Sequence, residues 1–156
     1  MDMDTANTFD TTNYALGREI WDRANEMKIF VNVTKMMKLS FICYGVFLAV
    51  SEEGVRPLNE QPQMWPYGPV FPDIREWWNE GKPDRKGFCS EKMKGIVQSV
   101  LETYGDRSAT ALVEWSHKVG SPWDVTRKKY GEKWGRVIED SVIREYFKKN
   151  VVVNDD

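Results

Sequence analysis

Between residues 36 and 50 the chain is apolar on every side of a helix. Met36, Met37, Leu39, Phe41, Ile42, Tyr44, Val46, Phe47, Leu48 and Val50 leave no continuous polar stripe. A helix with no face for water belongs at the centre of a fold. Asn32 or Thr34 is placed to cap it, and Glu52-Glu53-Gly54 stops it near residue 51. The remaining apolar patterns have one face each. Residues 13–28 carry Tyr14, Ile20, Trp21, Ala24 and Met27 behind a Thr12 or Asn13 cap. Pro72 suits a first helical position, with Ile74, Trp77 and Trp78 inward and Gly81 past the end. Ser90 opens the most regular stripe (Met93, Ile96, Val97, Val100, Leu101, Tyr104), which stops at Gly105. Ser108 starts another helix with Ala109, Leu112, Val113 and Ser116 near one face. Ser121-Pro122 starts a short one carrying Trp123, and residues 139–149 form the last, with Val142, Ile143, Tyr146 and Phe147.

Two stretches break this rhythm. Residues 55–59 and 63–65 are expected to pair as a hairpin around Glu60-Gln61-Pro62. Trp65-Pro66-Tyr67-Gly68-Pro69-Val70-Phe71-Pro72 is expected to be a rigid turn, because proline fixes φ and glycine takes backbone angles closed to other residues. The fold class that follows is mainly α: one compact domain of six to seven helices around a central apolar helix, with one small β-hairpin. Its bounds are residues 11–150, flanked by a flexible acidic arm at 1–10 and an acidic tail at 151–156.

Composition narrows the chemistry. The chain has 156 residues, enough for one well-buried domain. The longest apolar run, residues 41–50, is ten residues and includes Gly45, short of the roughly 20 that span a bilayer. The acidic start Met1-Asp2-Met3-Asp4 lacks the basic region of a secretory signal, so a cytoplasmic protein is expected. Neither a membrane nor nucleic acid is an expected partner, since the net charge is −2. Arg127, Lys128, Lys129, Lys133 and Arg136 cluster late in the chain in the manner of a solvated helix face.

A single histidine and two cysteines, Cys43 and Cys89, without paired spacing do not make the usual zinc constellations, and no phosphate loop or dinucleotide fingerprint occurs. No metal and no cofactor are expected. His117 has Ser116, Ser121 and Asp124 nearby, which invites a triad reading, but there is no Gly-x-Ser-x-Gly elbow. The simpler expectation is that its ring fixes the turn by bonding a backbone group before the Ser121-Pro122 helix. Aromatic residues make up 13% of the chain, with seven tryptophans. Most belong in the core, yet Trp77 and Trp78 cannot both face one narrow stripe, so some rings are expected at the surface, where tryptophan often anchors interfaces.

Three segments recur in a telling order: Thr34-Lys35-Met36-Met37-Lys38-Leu39-Ser40-Phe41-Ile42-Cys43-Tyr44, then Met64-Trp65-Pro66-Tyr67-Gly68-Pro69-Val70, then Leu112, His117, Pro122 and Trp123 before a helix over 141–149. Across residues 33–148 this resembles the Panacea domain family, which includes antitoxins of bacterial and phage toxin–antitoxin pairs and a phage-associated protein. Pro66 and the N-terminal helix and acidic tail depart from the family pattern. The resemblance implies a noncatalytic protein that neutralises a partner toxin by direct contact. Two further readings stay open: a phage-encoded protein that binds a host or defence factor, and an adaptor that delivers a bound protein to a protease. A hydrolase using His117 is a more distant one, and self-association is left open. The expected partner-binding residues are those of the two Pro-aromatic clusters: Trp65, Tyr67, Gly68, Pro69, His117, Pro122 and Trp123.

Overall fold

The computed structural model describes residues 8–152. Seven helices and four short strands follow one another as β1 (Phe9–Thr11), α1 (Asn13–Glu26), α2 (Val33–Val50), β2 (Arg56–Leu58), β3 (Gln63–Trp65), β4 (Gly68–Val70), α3 (Pro72–Asn79), α4 (Glu91–Tyr104), α5 (Ala109–Ser116), α6 (Pro122–Tyr130) and α7 (Asp140–Asn150). The protein is mainly helical with a small hairpin, as its apolar periodicity predicts.

The 18-residue α2 is the centre of the fold. Asn32 caps it by accepting the Lys35 backbone N–H at 2.9 Å. By length and composition it could cross a membrane, but here α1, α3, α4, α5 and α7, with β2 and β4, pack around it. Met36, Leu39, Ile42, Cys43 and Tyr44 are fully shielded, and Phe41 and Phe47 nearly so. Helix α7 comes closest. An added Cβ on Gly45 would lie 2.3 Å from ring carbons of Phe147, so only glycine admits that ring. Tyr44 Oη donates to Asp140 Oδ1 at 2.6 Å and Arg144 Nε to the Leu48 carbonyl at 2.9 Å, stapling α7 along α2. Lys35 is buried with its Nζ donating to the Gly105 carbonyl at 2.7 Å, a cation at the C-terminus of α4 where the helix dipole favours it.

The strands differ from the sequence expectation. Residues 55–59 and 63–65 do not pair. Strand β2 instead runs parallel to β1, with Phe9 opposite Arg56 and Thr11 opposite Leu58. The hairpin forms one segment later, where β3 pairs antiparallel with β4 in the register Gln63–Val70, Met64–Pro69 and Trp65–Gly68. The cause lies at residues 59 and 60. Asn59 Oδ1 accepts the Asn13 N–H, and the Glu60 carboxylate accepts the Asn13 amide and the Asp73 N–H, drawing this connection over the starts of α1 and α3. It therefore cannot close as a tight turn, and Pro66-Tyr67 does so instead.

The expected arm over 1–10 is also corrected at its end. Residues 9 and 10 belong to β1, Phe9 stacks on Phe88 with centroids 6.1 Å apart, and Asp10 accepts the Ser90 hydroxyl. Burial of Thr11 and the pairing with β2 give this segment contacts that a loose arm lacks. Residues 1–7 and 153–156, where the rest of the arm and tail fall, lie outside the described residues. Trp78, expected inward, is half-buried: Trp77 fills the core position of α3, and Trp78 meets Trp21 edge-on at 5.2 Å.

Candidate protein-binding site

The β3–β4 turn has two central residues, Pro66 and Tyr67, between the paired Trp65 and Gly68. Proline pre-sets φ at the first of them. Gly68 has φ of +115°, which side-chain-bearing residues rarely adopt. It also has no room for a side chain, since a Cβ there would stand 2.7 Å from Ser116 Oγ and 2.9 Å from Lys38 Cε. The hairpin thus rests directly on α2 and on the end of α5.

The second Pro-aromatic cluster comes to the same place from below. Ser121 accepts the Asp124 N–H and caps α6, Pro122 takes the first helical position, and Trp123 follows. Trp123 Nε1 donates to the Trp65 carbonyl oxygen at 2.7 Å. Trp65 is held at three points in all: by this bond, by its own Nε1 donating to Gln63 Oε1 at 3.0 Å, and by Arg75 over its ring at 5.5 Å. On the other side of Trp123 lies His117, with ring centroids 4.0 Å apart.

The two clusters named from the sequence are therefore one assembly. Of the seven residues expected to bind, Gly68, Pro69, Pro122 and Trp123 are buried, Trp65 and His117 are half-buried, and Tyr67 is displayed at 75% exposure; Pro66 beside it and Val119 before α6 are exposed as well. His117 does not bond a backbone group as expected. Its Nε2 is buried without a hydrogen-bond partner, and the ring packs against Trp123 with the two planes tilted by 34°. Burial, then Lys38 and Arg127, push its pKa down, so the neutral ring is favoured. A triad is not assembled around it. Ser116 Oγ donates to the Val113 carbonyl, Ser121 Oγ to the Ser116 carbonyl, and Asp124 is engaged by the Gly120 N–H and Lys128. Among the described residues no cluster of His, Cys, Asp and Glu is arranged to hold a metal.

Beside the hairpin is a cavity of about 360 Å³. Val33, Met37, Val70 and Val113 supply apolar walls, Trp65, Pro66 and Tyr67 one rim, and Arg75 and Lys38 its charge. Lys38 is only 2% exposed. Its Nζ reaches one acceptor, the Pro69 carbonyl at 3.4 Å, and no carboxylate pairs with it among the described residues. Burial lowers its pKa to about 8. Neither Lys38 nor Arg75 stood out as a site residue in the sequence. The available signal was a lysine inside an otherwise apolar helix, which burial makes expensive unless the charge has a use. The late basic cluster, by contrast, is laced locally: Lys128 pairs with Asp124 and Arg127 with Glu132, while Lys129 and Arg136 lie over Tyr130.

The chain is 25% identical to the antitoxin SocA of Caulobacter vibrioides over 154 aligned positions, covering 86% of this chain and 81% of that protein. No family model matches the chain, and no solved structure matches it at a significant level. What this protein resembles along most of its length is an antitoxin.

Proposed function

We propose that this protein is a noncatalytic antitoxin of the Panacea type, which neutralises a partner toxin by direct protein–protein contact. The observation that carries the reading is the similarity to an antitoxin over 86% of the chain. The geometry supports a place for the contact. A hairpin seated on α2 and tied to α6 presents Tyr67 to solvent next to an apolar cavity, and a rigid mount lowers the ordering cost of an aromatic anchor. In this reading Tyr67 and the exposed edges of Trp65 and His117 touch the partner, while Gly68, Pro69, Pro122 and Trp123 hold them in position.

The test is affinity capture of the full chain from its source cell, followed by expression of each captured protein alone and together with it. The reading expects a captured protein that arrests growth alone and is harmless in co-expression. Captured proteins that are all harmless alone would place this chain among binders of host or defence factors instead.

A further inference from the structure

We infer that the cavity beside the hairpin is a receptor for an acidic side chain flanked by apolar ones, presented by an extended segment of the partner protein. This rests on the protein-binding reading above and specifies what the partner must carry. The walls are apolar and no carboxylate lines them, yet three sources of positive charge converge there. Lys38 is buried with a single long hydrogen bond, leaving donor capacity on its ammonium unused. Arg75 is exposed, without a carboxylate partner among the described residues, and held over Trp65. Val33 and Thr34 are the first residues of α2, where unpaired N–H groups and the helix dipole favour an anion.

A buried ammonium with incomplete hydrogen bonding is costly, and an incoming carboxylate offsets that cost by a charge-assisted bond. Lys38 is 2% exposed, so the carboxylate has to be carried to it on a side chain, as on glutamate. The glutamate carries its charge to Lys38 while its own backbone stays outside with water. A chain terminus would instead bring peptide groups between Val33, Met37, Val70 and Val113, where few groups could satisfy them. The apolar neighbours of the glutamate would cover Trp65, Pro66 and Tyr67.

The experiment titrates the full-length protein with acetyl-Leu-Glu-Phe-amide, its glutamine counterpart, and acetyl-Leu-Phe as the free acid, following the indole N–H signals of Trp65 and Trp123 by NMR. The glutamate peptide is expected to bind about tenfold tighter than the glutamine peptide, the preference of a charge-assisted bond, and Lys38→Met to lower that preference severalfold, with Arg75 and the start of α2 left to attract the charge. Equal affinity of the two peptides for the unaltered protein, or no shift at millimolar concentration, overturns the proposal, and neither result needs the variant to fold. A preference undiminished in folded Lys38→Met also overturns it, and tighter binding of the free acid reassigns the site to a chain terminus. The antitoxin reading fails separately. Neutralisation unimpaired in Lys38→Met contradicts the cavity alone, whereas a glutamate preference without any neutralised toxin contradicts the antitoxin role alone.

Discussion

Trp123 Nε1 donates to the carbonyl oxygen of Trp65 at 2.7 Å, across 58 residues of sequence. This bond joins a β-turn to the start of a helix, and so makes one rigid body of two segments that each lock their own backbone. It also explains why prolines gather at both ends. Pro66 shapes the turn that carries Trp65, and Pro122 opens the helix that aims Trp123. The displayed Tyr67 inherits its position from a contact in which it takes no part.

Trp123→Phe removes the N–H donor and keeps most of the apolar ring. The expected loss is about 1 kcal/mol, the usual worth of one hydrogen bond, whereas Trp123→Ala is expected to cost about 3–5 kcal/mol by leaving a cavity. Urea unfolding of both variants checks this. No loss in Trp123→Phe would mean that the ring alone matters and the bond contributes nothing, whereas equal losses would mean that the ring's packing adds nothing to the bond.

Gly68→Ala combines an unfavourable φ of +115° with a Cβ 2.7 Å from Ser116 Oγ. A loss of about 2–3 kcal/mol is expected from the two effects together, measured by thermal or urea unfolding. An unchanged stability would show that the hairpin lifts off α2 without penalty, and with it the claim of a rigid mount would fall.

Phe47 is 1% exposed on α2. Phe47→Ala is expected to destabilise by about 3–5 kcal/mol. A change within about 0.5 kcal/mol, typical of surface positions, would put α2 at the periphery of the fold.

Glu60 gives a pH signature. Burial raises its pKa from 4.5 to about 7 against the lowering effects of the Asp73 N–H and the Asn13 side chain. A raised folded-state pKa stabilises fully below the unfolded value and less as pH climbs through the folded one. The stability of the unaltered protein relative to Glu60→Gln is therefore expected to fall between about pH 4.5 and 7, by up to about 3 kcal/mol. Unfolding free energies of both proteins across this range decide it, and a flat difference would contradict the burial argument.

The helices were legible from the sequence because their ends are written in single residues. Asn32, Ser90, Ser108 and Ser121 cap where the pattern places them, and Pro72 and Pro122 open α3 and α6. The strands were not legible, because three-residue strands have no periodicity to read and their partners are set by distant contacts. Glu60 reaching Asn13 and Asp73 decides the pairing of its neighbours, and nothing local to residues 55–65 announces it. The site was half legible. Proline and tryptophan marked both clusters, but only tertiary structure shows that they share one bond, and that Lys38, spaced like a core residue of α2, ends beside a cavity with its charge unpaired. His117 was misread because an imidazole in a turn suggests hydrogen bonding, while here an adjacent indole offers a ring to pack against.

Tyr67 separates binding from folding most directly, being 75% exposed at the tip of the hairpin. On the antitoxin reading, growth rescue by Tyr67→Ala, co-expressed with a captured toxin against which the unaltered protein gives rescue, is the decisive measurement. Stability is expected to change by less than about 0.5 kcal/mol, as for other exposed positions, while toxin binding weakens by about 2 kcal/mol or more and rescue is lost. Full rescue by a folded Tyr67→Ala protein at equal abundance would contradict the account and move the binding face away from the hairpin.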